Sequence, residues 1–546
     1  MSLVTVTVLS DNEVIDPAYE LLSVQVNVEV NRLPYAELVL TDGSAATGTF
    51  DVSDAGVFEP GKEIEIKLRY EDDPASENTV FKGLVVAQRI AVEQTSSTLT
   101  VAIKDAAVAM IQGKNHRVFT QMSDDEVIKK IIGLHGLSAE TIDTTKPVHA
   151  EIVQYACSDW DFMLARAESN GLLIAVRGGA ISALAIKSPG APVATLEYGI
   201  DEIYSFELEA NGEGQYEKIS GTAWDAKNQQ NITVDKSGSL ALTPGNLSSE
   251  KLAKSLAGKE YTLATSVQLT QEELTAWTAG KLARTQLGLI CGSLSIPGRS
   301  DIALLDAIEI KGMGLHFNGT VLVTGIGHRV MAGSWVTDFQ LGLAGSWPSR
   351  GNDADSLPAS GLLPAISGLH IGLVLALGED AGKELKVNIK LPALADDANA
   401  LWARLAAPDA GKGRGYYFRP EVGDEVVIGF VNDDPRQPII LGSLYSSKNT
   451  QPERFGKPDD KNIGKGIASK KGMVIGFDDD KAIVYIETPG KNTITLDDDG
   501  KKIQLQDQHG NSIIMDENGI TLKSAKDFKV DAGGNVEIKG AKVDIK

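Results

Sequence analysis

Residues 491–546 carry a repeated pair of apolar residues that constrains the fold more than any other feature of this sequence. In each pair a single residue separates two apolar positions, and successive pairs lie 7 to 10 residues apart. Alternation with a period of two is typical of a β-strand with one buried face and one solvent-exposed face. The pairs are Ile494 and Leu496, Ile503 and Leu505, Ile513 and Met515, Ile520 and Leu522, Phe528 and Val530, Val536 and Ile538, and Val543 and Ile545.

The spacing of these pairs predicts how the strands are arranged. Glycine falls in the gaps with Asp, Asn and Lys, which indicates tight corners. A strand and its corner together take only about eight residues, whereas one chain needs roughly 18 residues to go once around a β-helix. We therefore predict an intertwined trimeric β-helix in which three chains close each layer around these fourteen side chains. An ordinary amphipathic antiparallel sheet is the alternative.

Composition and charge narrow the class of protein. The chain has 546 residues, of which 42% are hydrophobic, enough for several folded domains. Its formal net charge of −22 argues against nucleic acid or an anionic membrane as a partner. Two cysteines indicate no disulfide framework. The alternating start of the sequence does not look like a signal peptide, so we expect assembly in a reducing cytoplasm.

The rest of the sequence predicts a mainly β fold with a few helices. Residues 1–345 contain alternating strands, with an α+β insertion around 106–200. Capping residues predict helices after Ser123, Ser158 and Thr270.

Composition then divides the second half of the chain. Residues 346–366 are rich in Pro, Gly and Ser and are predicted to be a linker. About five short strands in residues 367–446 suit a small barrel of the OB type. Residues 447–490 are predicted to be a polar neck that leads to the needle at 491–546.

Two segments of the barrel region resemble a known family. Residues 415–430 contain Pro-Glu-Val-Gly-Asp-Glu-Val, and residues 434–445 contain Asp-Pro-Arg-Gln-Pro and Leu-Gly-Ser-Leu-Tyr. Both resemble the OB domain of VgrG proteins and phage baseplate spikes. Residues 158–162 and 325–337 are similar to the phage-hub-like region of the same family. The layout most resembles spikes of extracellular contractile injection systems, with a type VI secretion VgrG or a phage tail spike as alternatives.

This resemblance implies a homotrimer that joins an inner tube to a membrane-puncturing tip and helps to deliver effectors. The hub-like N-terminal region would meet the inner tube and baseplate proteins. The sequence ends directly after the last apolar pair, so we expect a separate PAAR-type tip protein to dock on Val543, Ile545 and Lys546. The particle would be released or fired outside the cell, with possible effector cargo and transient contact with a target membrane.

No catalytic, cofactor-binding or metal site is expected. The seven histidines form neither a His-Glu-x-x-His motif nor a Cys/His cluster. The glycines of residues 411–415 lack the phosphate-loop spacing and a following helix. Trp160 and Phe162 are expected in a core, and the aromatic run 416–418 against the barrel or a trimer axis. A cell-wall-degrading tail enzyme is the remote alternative.

Overall fold

The computed structural model describes residues 3–225, 230–238, 240, 243–256, 258–265, 269–343, 358–378, 380, 382–391 and 400–546. The chain divides into two compact units, Met1–Ser443 and Leu444–Lys546. Among the described residues, none of the helices is long and apolar enough to cross a membrane. The α-helices of the described residues are α1 (Asp51–Asp54), α2 (Asp124–Leu134), α3 (Asp159–Ser169), α4 (Ser249–Ser255) and α5 (Gln271–Leu287).

All three helices predicted from capping residues are confirmed. The α2 helix follows Ser123, whose backbone N–H donates to the Glu126 carboxylate at 2.8 Å. The α5 helix follows Thr270, where the Thr270 hydroxyl accepts from Glu273 N at 3.1 Å. These caps satisfy backbone donors that the first turn of a helix leaves free. Trp160 and Phe162, on α3, are buried as expected.

The N-terminal strands form the start of a large mixed sheet. Strand order in its main path runs β14-β19-β22-β21-β3-β4-β7-β6-β5-β1-β2. The first seven strands are β1 (Val4–Ser10), β2 (Glu13–Val14), β3 (Leu21–Glu29), β4 (Tyr35–Thr41), β5 (Glu63–Tyr70), β6 (Asn78–Val92) and β7 (Ser97–Lys104). Their alternate apolar residues enclose a core that includes Val26, Leu38, Ile66 and Val101, all below 1% exposed.

The next strands complete that sheet and form three smaller ones, β10-β8, β11-β12-β9 and β16-β15-β18. They are β8 (Asn115–Ser123), β9 (Ser138–Ile142), β10 (Val148–Cys157), β11 (Leu172–Arg177), β12 (Ala180–Ala185), β13 (Ala194–Glu197), β14 (Ser205–Ala210), β15 (Lys218–Asp225), β16 (Gln230–Ser237), β17 (Thr243–Pro244), β18 (Glu260–Ala264), β19 (Ile290–Pro297), β20 (Ala307–Lys311), β21 (Gly319–Met331) and β22 (Ser334–Leu341). Strands therefore dominate the described residues, and the prediction of a mainly β fold is confirmed.

A closed five-stranded barrel follows, in the order β23-β24-β25-β29-β28. The strands of this region are β23 (His370–Ala376), β24 (Val387–Lys390), β25 (Ala400–Leu405), β26 (Ala410–Gly411), β27 (Arg414–Gly415), β28 (Glu425–Phe430) and β29 (Pro438–Ser443). Tyr416, Tyr417 and Phe418 were expected against the barrel or a trimer axis. In the single chain they are 58%, 72% and 62% exposed, so they do not pack on their own barrel, and packing at a trimer axis stays a prediction. They follow the short β26–β27 hairpin instead of lying on a barrel strand.

The predicted linker is only partly a linker. Residues 346–357 lie outside the described residues. From Pro358 the chain turns and packs, because Leu362, Leu363 and Ile366 are buried at 4%, 3% and 2% exposure in three separate apolar clusters.

The second unit contains a seven-stranded antiparallel sheet in which every strand pairs with the next one along the chain. The strands are β30 (Gly464–Ala468), β31 (Val474–Asp478), β32 (Ile483–Glu487), β33 (Thr493–Asp497), β34 (Lys502–Gln506), β35 (Ser512–Asp516) and β36 (Gly519–Lys523). Three of them lie in residues 447–490, which were expected to be a polar neck. The sheet therefore begins well before residue 491.

The chain path through residues 493–523 also differs from the predicted intertwined path. Each corner reverses the chain, so that neighbouring strands pair within one chain. Between β33 and β34, Lys501 adopts a φ of 47° and Gly500 N donates to the Asp497 carboxylate at 2.6 Å. A four-residue corner of this kind makes a hairpin. These strands follow the antiparallel alternative, and other chains are not needed to pair them.

Candidate trimerisation face

One face of the C-terminal sheet is apolar from end to end. In an antiparallel sheet, residues directly opposite each other share a face. Ile494 lies opposite Leu505, and Leu496 lies opposite Ile503. The same register continues across all seven strands. The apolar face consists of Ile467, Ile475, Phe477, Val484, Ile486, Ile494, Leu496, Ile503, Leu505, Ile513, Met515, Ile520 and Leu522.

All thirteen side chains of the apolar face are exposed in the single chain, at 37% to 70%. Monomeric proteins rarely leave contiguous apolar patches larger than a few hundred Å² uncovered. Covering one half-exposed aliphatic side chain is worth about 1 kcal/mol. The whole face then offers on the order of 10 kcal/mol per chain to whatever covers it.

Eight of the fourteen predicted core residues lie on this face, from Ile494 to Leu522. The other six predicted core residues follow β36 and do not lie in a β-strand of the single chain. They are Phe528, Val530, Val536, Ile538, Val543 and Ile545, and all are between 51% and 91% exposed. An open groove of about 1010 Å³ lies along the apolar face, and residues 523–529 are among the residues that line it.

Five members of the face precede the predicted needle. Ile467, Ile475, Phe477, Val484 and Ile486 belong to β30–β32. The signal was present in the sequence, because Val484 and Ile486 form one more apolar pair, ten residues before Ile494 and Leu496.

On the opposite face of the sheet, side chains cover the part formed by β31 and β32. The Arg454 guanidinium lies 4.4 Å from the centre of the Tyr485 ring and donates to Glu487 at 2.8 and 3.0 Å. Tyr485 in turn covers Gly476, its cross-strand partner. A Cβ atom on Gly476 would lie 2.3 Å from the ring. This part of the opposite face therefore has covering residues within its own chain.

A second group of side chains, in the first unit, has the composition of an active site. Asp124 of α2 accepts from Arg166 at 2.6 and 2.9 Å and contacts His149 Nε2 at 3.0 Å. The other ring nitrogen of His149 lies 3.1 Å from the Glu273 carboxylate of α5. Glu273 also accepts from Arg436, which follows the barrel strand β28.

We call these side chains the His149 cluster. Their arrangement indicates that they hold parts of the fold together and do not form a catalytic centre. Burial would raise the pKa of Glu273, but the hydrogen bond from His149 and the charge of Arg436 lower it to about 2. Burial would also raise the pKa of Asp124, but Arg166 and His149 hold it below its usual range. The adjacent cavity measures only about 10 Å³, room for about one water molecule and no substrate. The cluster ties α2, α3, α5 and the barrel together.

Comparison with known protein families gives three matches to family sequence models. A family described as the Alg8 N-terminal domain matches residues 1–332, more than half of the chain. The type VI secretion system and phage-baseplate injector OB domain matches residues 370–445. The phage baseplate V C-terminal trimerisation domain matches residues 483–546, which contain most of the apolar face.

Curated relatives match over short segments. The type VI secretion system spike protein VgrG5 of Pseudomonas aeruginosa is 38% identical over 71 residues, 13% of this chain and 9% of that protein. VgrG3 of Vibrio cholerae, also a type VI spike protein, is 41% identical over 66 residues, 12% of this chain and 6% of that protein. The matched segments therefore span less than a tenth of either relative.

Solved structures share the fold over much more of the chain. The lidded PdpA–VgrG complex of Francisella superposes with a TM-score of 0.57 and 11% identity, covering 96% of this chain and 80% of that one. The E. coli c3393 protein is described as a type VI component similar to the phage T4 tail proteins gp27 and gp5. It has a TM-score of 0.50 and 10% identity, covering 81% of this chain and 100% of that one.

Proposed function

The chain belongs to the family of VgrG and phage-baseplate spike proteins, and we propose that it is the homotrimeric central spike of a contractile injection machine. The observation that carries this proposal is the exposed apolar face of the C-terminal sheet. Most of this sheet lies in the residues that match a trimerisation domain. Three copies that turn this face toward a common axis would bury it. Light scattering on the purified chain should give three times 58.1 kDa, about 174 kDa, and a stable monomer would contradict the proposal.

We assign the two halves of the predicted core to different kinds of pairing. Residues 464–523 would pair within their own chain, so that each copy contributes one wall of a prism. Residues 524–546 have alternating apolar residues but no strand partner in the single chain. Other copies would supply those partners, which confines the intertwined part to this segment. A prism closed in this way leaves no lateral strand edge free, which suits a rod that transmits force.

A tip protein of the PAAR type is the partner we assign to the far end of the spike. Val543 and Ile545 are 51% and 91% exposed in the single chain, next to Lys546. Apolar residues left open at the end of a prism would favour a small protein that covers them. The N-terminal region would meet the inner tube and baseplate proteins, as the family resemblance implies.

Delivery without catalysis is the activity we assign to the spike. The relatives named above are spike proteins, and the His149 cluster has no room for a substrate. A protein partner beyond the trimer is consistent with this role, since the Francisella VgrG was solved in a complex with PdpA. We extend this to effector cargo as part of the proposal. Assembly in the cytoplasm would be followed by firing of the spike out of the cell. An extracellular particle, a type VI system and a phage tail all remain candidates for the host machine.

A cell-wall-degrading tail enzyme would be the second candidate function. Incubation of the purified trimer with peptidoglycan, with lysozyme as a positive control, should release no soluble fragments. Release of fragments would contradict the proposal that the spike delivers without catalysis.

A further inference from the structure

The two sides of the C-terminal sheet, where the chain turns between strands, carry opposite charge. Turns on one side follow β31, β33 and β35. We call residues 478–483, 497–502 and 516–519 the acidic margin. It holds eight carboxylates and three lysines. The carboxylates are Asp478, Asp479, Asp480, Asp497, Asp498, Asp499, Asp516 and Glu517.

Turns on the other side follow β30, β32 and β34, and the chain leaves β36 on the same side. We call residues 469–473, 487–493, 506–512 and 523–527 the lysine margin. It holds five lysines and three carboxylates. The lysines are Lys470, Lys471, Lys491, Lys523 and Lys526. The formal charges are therefore −5 on the acidic margin and +2 on the lysine margin.

The acidic margin is more acidic than its turns require. The first residue of each acidic run serves the turn itself, since Asp478, Asp497 and Asp516 accept hydrogen bonds from backbone N–H groups two or three residues later. Asp498 and Asp499 are exposed, and turn geometry does not account for their charge. The runs recur every 19 residues, two strands apart, so they are stacked about 9.6 Å from one another. Like charges stacked at this distance repel each other.

Threefold symmetry offers a way to relieve this repulsion. A rotation of 120° brings one side of each sheet to the opposite side of the next sheet, a heterologous contact that closes into a ring. A twofold contact would instead bring identical margins together, including acidic against acidic. The charges therefore favour the cyclic arrangement and oppose the twofold one.

The turns also interleave. The acidic corner 498–501 joins β33 to β34, and the lysine-margin corner 488–492 joins β32 to β33. Under a pure rotation the two corners differ in height by one strand spacing, about 4.8 Å. Each acidic corner then lies between two lysine-margin corners of the next copy. This geometry places Asp498 and Asp499 beside Lys491 of the partner subunit.

We propose that the acidic margin of each copy docks against the lysine margin of a second copy of this chain, and that this charge pairing favours the closed ring of three copies over a twofold dimer. The proposal rests on the proposed trimer. It adds that the acidic margin of one copy contacts the lysine margin of the next copy. Surface charges of this kind contribute more to specificity than to affinity.

A crosslinking experiment tests the pairing directly. In a Cys157→Ala, Cys291→Ala background, Asp498→Cys and Lys491→Cys are introduced together, and the chain is treated with a short bismaleimide. Within one chain the two positions are separated by the whole of β33, about 20 Å apart and out of reach. We expect a covalent trimer on a denaturing gel from the double variant, and a monomer band from each single variant.

The outcomes separate this proposal from the trimer itself. Covalent dimers from Asp498→Cys alone would mean that acidic margins meet, and would overturn the proposal. Absence of crosslinks in the double variant, while light scattering still shows a trimer, would overturn the margin pairing and leave the proposed function standing. A monomer in light scattering would overturn both.

A charge-swap experiment supports the test without cysteines. Asp498→Lys with Asp499→Lys should lower the fraction of trimer several-fold at low salt, and Lys491→Glu in the same chain should restore part of it. The loss should shrink as the Debye length falls from about 10 Å at 0.1 M salt to about 3 Å at 1 M. Asp51→Lys with Asp54→Lys, the same charge change on exposed residues of α1, is the matched control. An equal loss in the control, or no rescue, would overturn the pairing.

Discussion

His149 Nδ1 lies 3.1 Å from the Glu273 carboxylate, and the other nitrogen of the same ring lies 3.0 Å from Asp124. A neutral imidazole can donate from only one nitrogen, so the two carboxylate contacts favour the protonated ring. The cluster contains three carboxylates, with Asp434, and two guanidinium groups. When His149 is protonated, the net charge of the whole cluster is zero.

We expect this contact to make stability depend on pH. Burial would lower the pKa of His149, but hydrogen bonds with Asp124 and Glu273 raise it. A raised pKa in the folded state gives stability that is fully present below the unfolded value, about 6.5, and is lost as pH rises through the folded pKa. Urea unfolding of the chain should therefore show a falling free energy of unfolding above about pH 6.5.

The variant His149→Gln should lose this dependence. It should also unfold more easily at pH 6, by about 2 kcal/mol, because buried charges lose a charged hydrogen-bond partner. His316→Gln, at an exposed histidine, should keep the pH dependence of the unmodified chain. The same slope in all three proteins would show that His149 is not its source.

Ile503→Asp should prevent trimer formation. The residue lies on the apolar face in the middle of the sheet, so three copies would bring three carboxylates to the shared core, at about 3 kcal/mol or more each. Gln504→Asp places the same group on the opposite face of the same strand and should be mild. Analytical ultracentrifugation of both variants measures the difference, and equal effects would refute the assignment of the two faces.

Gly476→Ala should destabilise the C-terminal sheet. The added Cβ would displace the Tyr485 ring and with it the Arg454 contact, lowering the stability by about 1 kcal/mol. Gly190→Ala, where nothing lies within 4 Å of the added atom and which lies outside this sheet, is the control. Thermal unfolding followed by circular dichroism should give a lower Tm for the first variant only. An unchanged Tm would mean that these contacts add little to stability.

Deletion of residues 540–546 should remove the docking surface assigned to a PAAR-type protein. The trimer should persist, because residues 464–523 carry the larger apolar face. Binding of a recombinant PAAR-repeat protein, measured by biolayer interferometry, should weaken at least about tenfold, or about 1.4 kcal/mol. A double substitution on the outer face, Thr495→Ser with Gln504→Asn, serves as the control. Unchanged binding after the deletion would place the docking surface elsewhere.

Local patterns in the sequence were sufficient to predict much of the secondary structure. Helices α2, α3 and α5 begin directly after the predicted caps because a cap depends only on residues within one turn. Ile494, Leu496, Ile503 and Leu505 share one face because side chains alternate along any strand. These properties belong to a few consecutive residues, so the sequence alone determined them.

Only the tertiary structure decided the path of the chain and the long-range contacts. A corner of four or five residues suits both a hairpin and a step to the next wall of a prism, so the period of Ile494 to Leu522 could not show that the chain reverses. Nothing in the sequence links Asp124, His149, Glu273 and Arg436, which come from four separate elements. Strand pairing and the burial of charge depend on residues far apart in the chain, and folding alone brings them together.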